Sequence, residues 1–331
     1  MTTPAPSVCP LSPWEDPERI AAVARLAASA GPAALARDLL FASQDAGHGV
    51  AACLRAMPEE RRRAVAALLT ECAESPVPPP GLRRRALVLL AVVSRGFAPD
   101  EWYERWTALL EGWAQEWYWA GTSDELPAVA EAVLDAGRPL SDEVVGLLRR
   151  SAYMANEWAA VLLERTPLPL LDPGEPWADR IRAELPALGA PWPALVAHLL
   201  AAPAAPPKRW DREAADILRG IDPDTVRRTV TPWAELAAQG GGAEDGGYDP
   251  CDVTAIRGIA RLLALLPPHP DSVLALAALV ERPPVKAVVA GAAVRALAHL
   301  EGGAGRAELT RLADRVGHPA TLRQIRRALA S

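Results

Sequence analysis

The sequence predicts an all-α protein built of stacked antiparallel helix pairs, and three observations carry that prediction. Alanine- and leucine-rich segments of about 11 to 20 residues recur from end to end. Short breaks bearing proline or glycine separate them. No segment shows the alternation of apolar and polar residues that marks a half-buried strand. A helix with one apolar face cannot bury that face alone, so helix pairs of roughly 40 residues stacked side by side are the natural solution. The expected architecture is an α-solenoid. Because no repeat of the sequence itself is visible, a compact orthogonal helical bundle is the alternative. Residues 1–16 read as an N-terminal extension and 17–331 as a single helical-repeat domain with a flexible break at 240–250.

Taken in order, the helical segments are Glu18 to Ala28, Ala33 to Ala42, Glu59 to Ala73 and Leu82 to Ser94. Then come the tryptophan-rich segment from Trp102 to Trp117, Glu125 to Leu134, Asp142 to Arg150 and Glu157 to Arg165. Trp177 to Leu185, Trp192 to Leu200, Asp211 to Arg219 and Asp224 to Ala238 follow. From Asp252 to Leu266, Val253, Ile256, Ile259, Leu263 and Leu266 recur at three- and four-residue steps and share one face, while Arg257 and Arg261 fall off it. After the PPHP break, Asp271 or Ser272 can cap the next helix ahead of Val273, Leu276 and Val280. From Val285 the stripe Val288, Val289, Ala292, Ala296, Leu297, Leu300 is rich in small residues, which let helices approach closely. Two shorter helices close the chain, one carrying Leu309, Leu312 and Val316 and the other Leu322, Ile325 and Leu329. Long loops are expected at 75–81, 166–176, 203–207 and 240–250.

Composition excludes several classes. Half the residues are apolar and 23% are charged, so the chain is neither disordered as a whole nor membrane-like. The longest apolar run, Ala86 to Val93, is far short of the ~18 residues of a membrane span. The N-terminus lacks the basic and apolar regions of a secretory signal, which implies a cytoplasmic location. A net charge of −6 disfavours nucleic acid as the main partner. Cys9, Cys53, Cys72 and Cys251 show no zinc spacing and read as reduced, buried small residues. Arginine supplies every cation except Lys208 and Lys286, a bias that reads as GC-rich coding.

The one compositional anomaly lies between Ala98 and Trp119, which holds five of the eleven tryptophans. At 100° per residue, with Trp102 at zero, Trp106, Trp113 and Trp117 fall at about 40°, 20° and 60°, so four indoles share a narrow face. The stretch Ala98 to Glu125 carries seven acidic residues, Glu101 and Glu116 among them, against the single cation Arg105. Such a face can hold a cationic or amphipathic peptide, because indole faces attract cations and bury large areas at small entropic cost. The same tryptophans can equally be knobs that pack one helix into its neighbours. A second candidate is the arginine ridge near the C-terminus, where Arg315, Arg323 and Arg327 can meet an anionic partner or form a solvated helix face.

Other chemistry is thin. Glu244, Asp245, Asp249 and Asp252 lack the ligand spacing of a calcium loop, and no metal or cofactor is expected. The glycines at 240–247 are not followed by GK[ST], so they form no phosphate-binding loop. His48, His198, His269, His299 and His318 are isolated, with neither HExxH nor GxSxG in the chain, so no catalytic residue is assigned.

DPDTVRRTVTPWAEL at Asp222 to Leu236, TAIRGIARLLALL at Thr254 to Leu266 and the closing AAVRALAHL to ATLRQIRRALA carry a family likeness. In their order and spacing they resemble the HEAT-like helical region, here about 222–330, of bacterial proteins of the molybdate-metabolism-regulator type. The resemblance implies a HEAT-like array and no particular reaction. Proteins of that type continue into a further C-terminal domain, whereas this sequence ends at Ser331, so the likeness implies a freestanding adaptor or an array working beside a partner. The expected function is a non-catalytic scaffold that binds a protein or peptide in a groove. One alternative is a HEAT-like enzyme such as a DNA-alkylation-repair glycosylase, one of whose helices Ala155 to Thr166 resembles through Trp158 and Arg165. The other is a helper for peptide or natural-product modification.

Overall fold

The computed structural model describes residues 16–41, 48–97, 102–121, 125–240, 247–282 and 287–330. Among them are 18 helices and no strand. They form two compact units, Met1–Leu168 and Pro169–Ser331, each with its own hydrophobic core. The division falls inside the TPLPLLDPGEP loop, and residues 247–250, of which Asp249 is buried, belong to the second unit. Residues 1–15 and 241–246 lie outside the described residues.

Unit 1 contains α1 (Pro17–Ser29), α2 (Pro32–Phe41), α3 (His48–Arg55), α4 (Glu59–Glu74), α5 (Pro80–Val93), α6 (Tyr103–Glu116), α7 (Glu125–Asp135), α8 (Asp142–Tyr153) and α9 (Glu157–Leu163). Unit 2 contains α10 (Pro176–Leu188), α11 (Pro191–Leu200), α12 (Lys208–Ile217), α13 (Pro223–Gln239), α14 (Val253–Leu265), α15 (Pro270–Glu281), α16 (Ala287–His299), α17 (Ala304–Ala313) and α18 (Pro319–Ala330). Every principal packing pair joins helices no more than three places apart. Examples are α4 with α5 and α6 with α8 in unit 1, and α11 with α14 and α16 with α18 in unit 2. Among the described residues no helix is long and apolar enough to cross a membrane.

The prolines that break the sequence pattern start helices. Pro17, Pro80, Pro176, Pro191, Pro223 and Pro270 sit in the first turn, where the missing N–H is no loss and the fixed φ already suits the helix. Asp16 and Asp222 cap α1 and α13, accepting from the backbone N–H of Glu18 (2.9 Å) and Thr225 (3.0 Å). The cap of α15 is His269, whose Nδ1 accepts from the Asp271 N–H at 3.2 Å; neither Asp271 nor Ser272 fills that role, because the helix begins at Pro270, ahead of both.

Helix C-termini leave carbonyls without partners, and arginines from neighbouring helices meet them. Arg61 donates to Leu26 and Ala30 at the end of α1, and Arg85 to Leu39 near the end of α2. Arg62 donates to Val93 (3.1 Å) and Arg95 (2.6 Å) past the end of α5, and Arg282 to Ala237 in α13 (2.9 Å). The clustered arginines at 61–63 and 83–85 are in this way partly structural. Glycine sets one close approach: a Cβ on Gly258 of α14 would lie 2.6 Å from the Leu199 carbonyl oxygen and 2.7 Å from its Cα, so α11 and α14 meet at a distance no side chain allows.

Candidate functional site

The tryptophan stripe is packed into the core of unit 1. Trp102, Trp106 and Trp113 are 4%, 1% and 1% exposed, and α6 packs on α5, α7 and α8. Trp106 donates from Nε1 to the Leu87 carbonyl of α5 at 3.1 Å. Arg84 lies over the Trp113 ring at 4.9 Å and the Trp117 ring at 5.9 Å, and Arg105 over Trp102 at 4.8 Å. The cations that these indole faces attract therefore come from the protein itself. Trp117 lies beyond the end of α6 in extended backbone, yet its half-buried ring stacks on Trp113 with centroids 5.5 Å apart. The segment after it is fastened to α8: Arg150 donates to the Tyr118 carbonyl (2.6 Å), and the Ala120 N–H to Ser151 Oγ (2.8 Å). The open aromatic face expected for a peptide is thus corrected to a core face, since burial of three indoles outweighs any gain from leaving them wet. Glu116 is exposed at the end of α6, and Glu101 lies outside the described residues.

A cleft of about 620 Å³ opens where this core reaches the surface. Its apolar lining includes Ala91, Trp106, Ala132 and Leu134, and its polar lining Ser94, Arg95, Asp135 and Arg165. The charges are locked together. Glu131 accepts from Arg55 (2.7 Å) and Arg95, and Asp135 from Arg95 and, at 2.7 Å, from Arg165. Burial first, and then the neighbouring Arg95, pull the Arg55 guanidinium below its ordinary pKa. Arg165, singled out by the glycosylase likeness, is part of this network, and Trp158 packs against the unit 1 core.

The C-terminal arginines divide. Arg315 reaches Glu281 at 3.5 Å, alongside Arg311, which pairs with Glu281 (2.7 Å) and Glu308 (2.5 Å). Arg323 and Arg327 stand exposed on α18.

Unit 2 holds a group that spacing could not reveal. Asp172, Glu175, Asp249 and Asp252 are all buried, gathered from the loop before α10 and the loop before α14. Glu175 accepts from the Trp177 indole N–H (2.6 Å) and the Asp249 N–H (2.8 Å), and Asp252 accepts from the Asp172 N–H (2.6 Å). Burial pushes the Glu175 carboxyl up to about 7 against the lowering pull of the Asp249 and Trp177 hydrogen bonds. Oxygens of Asp172 and Asp249 and the sulfur of Cys251 lie within 4.8 Å of one another, a donor set able to hold a metal ion. Asp249 and Asp252 came from the sequence reading. Asp172 and Glu175 come from a loop about 75 residues earlier, joined to them only by folding, and Glu244 and Asp245 are outside the described residues.

His198 stacks on Trp210 with centroids 4.4 Å apart, and His318 meets Thr321 at the start of α18. His48 lies at the start of α3, and no contact of its side chain is described. Comparison with protein-family models, curated proteins and solved structures returns no match to the chain.

Proposed function

We propose that this chain is a non-catalytic helical-repeat scaffold, a HEAT-like α-solenoid, that binds a peptide segment of a protein partner in the unit 1 cleft. The observation that carries the reading is the cleft itself. Its volume of about 620 Å³ falls in the ~300–1,000 Å³ range of binding pockets, its lining mixes apolar with polar side chains, and its rim is held rigid by paired charges of both signs. An apolar anchor side chain can seat on the half-buried Leu134 while its neighbours exchange hydrogen bonds with Arg95 and Asp135. Packing of helices only on close chain neighbours supports the repeat architecture, as does the likeness of residues 222–330 to HEAT-like arrays. The mixed rim and the net charge of −6 weigh against a nucleic-acid backbone.

The test is affinity capture from the native extract, with nuclease treatment as control, comparing the wild type with Ala136→Trp. Ala136 is an exposed residue at the cleft edge, so the substitution fills the cleft without touching the core. The expected result is a nuclease-resistant protein partner that the variant no longer retains. Equal retention by both, or recovery of nucleic acid alone, overturns the reading.

A further inference from the structure

A second cavity, of about 170 Å³, lies in unit 2 between α14, α16 and the loop at 203–206. α14 supplies Arg257 and Arg261, one turn apart, and α16 supplies Arg295 and His299 at the same spacing, so the packing of these helices brings four basic side chains to one space. Only one of them is neutralised. Arg261 makes a two-pronged ion pair with Asp211 of α12, Nε at 2.9 Å and Nη2 at 2.6 Å. Arg295 donates to a neutral acceptor, the Ala204 carbonyl, at 2.8 Å. Arg257 has no ion pair among the described residues, and its Nε is buried without a hydrogen-bond partner. Burial and, next, the nearby Arg257 charge lower the pKa of Arg295, as expected of two guanidinium groups facing each other. Arg257 is half-buried and Arg295 exposed at the mouth of the cavity, so water screens part of their mutual repulsion, and a bound anion relieves what is left.

We propose that this cavity is a binding site for a phosphate group, gripped by Arg257 and Arg295 with His299 at its rim. Two uncompensated guanidinium groups ask for two negative charges, which a phosphate supplies and a single carboxylate does not. Size points the same way. At about 30 Å³ per water the cavity has room for a phosphate but falls below the ~300 Å³ at which whole small-molecule ligands are enclosed. The ligand is therefore either free phosphate or the terminal phosphate of a molecule whose remainder stays outside. The site is separate from the peptide cleft of unit 1 and stands or falls independently of it.

The test titrates the full chain calorimetrically with inorganic phosphate, with glycerol phosphate as a phosphomonoester, and with acetate at matched ionic strength. We expect saturable one-to-one binding of a phosphate species and none of acetate. Arg257→Gln and Arg295→Gln should each weaken it about tenfold or more, and Arg219→Gln, an exposed arginine of the same unit outside the cavity, should leave it unchanged. Tighter binding of the ester marks a ligand-borne phosphate, and equal binding marks the free anion. If either pocket variant fails to fold, phosphate-dependent shifts of the arginine Nε resonances in the wild-type chain decide. Absence of saturable binding, equal acetate binding, undiminished binding in folded pocket variants, or unshifted Nε resonances overturns the proposal.

Discussion

In unit 1 the half-buried charges meet charges of the opposite sign: Glu131 and Asp135 lie among Arg55, Arg95 and Arg165. In unit 2 Glu175 is held by an indole and a backbone N–H, with the Arg282 guanidinium a lesser influence, and Asp252 accepts from the Asp172 N–H. The difference has a physical consequence. A carboxylate beside a guanidinium gains from ionising, whereas one held by dipoles in an apolar interior bears most of the desolvation cost. Burial accordingly pushes the Glu175 carboxyl of unit 2 up to about 7.

The largest expected effect concerns what the two units share, a core anchored on tryptophan. Trp106→Ala in unit 1 and Trp177→Ala in unit 2 should each cost about 3–5 kcal/mol in urea unfolding. A cost below about 1 kcal/mol for Trp106→Ala would return the stripe to the surface. The next effect separates the units by pH. Glu175 has a folded-state pKa of about 7 against an ordinary 4.5, so between those values the folded chain keeps a proton that the unfolded chain has released. Stability contributed by this group is present at pH 4.5 and lost as pH rises towards 7 and beyond, by roughly 2–3 kcal/mol. Unfolding midpoints at pH 5 and 8 should show this loss in the wild type and a flat response in Glu175→Gln; a slope that survives the substitution breaks the comparison. The smallest effect sharpens the unit 1 side. Glu131→Gln strips Arg55 and Arg95 of a shared counter-charge and should cost about 1–2 kcal/mol at pH 8, an amount moderated by partial exposure of all three groups. A neutral outcome would mean that the network contributes rigidity alone.

Most of the secondary structure was legible because the apolar period is strong. Every helix except α3, His48–Arg55, was visible in the sequence. The fate of the tryptophans was only half legible. Helical spacing put four indoles on one side, but a stripe facing a groove and a stripe facing a core have the same period. Trp117 joins the stripe from outside the helix, through its stack on Trp113. The carboxylate group and the arginine cavity were not legible as sites, since Asp172 with Asp252 and Arg257 with Arg295 are brought together by tertiary packing alone. One signal was present in retrospect: Arg257 and Arg261 fall off the apolar stripe of α14 one turn apart, as Arg295 and His299 are spaced on α16.

The restriction of principal helix pairs to neighbours within three places also bears on how the chain reaches its fold. A chain leaving the ribosome presents its helices in order, and each can find its packing partners once the next few have emerged. Few long loops need to close before contacts form, which favours fast folding and shortens the time that apolar faces stay exposed to aggregation. Synthesis can then proceed as a moving front of completed packing, with Pro17, Pro80, Pro176 and their counterparts marking where each new helix begins.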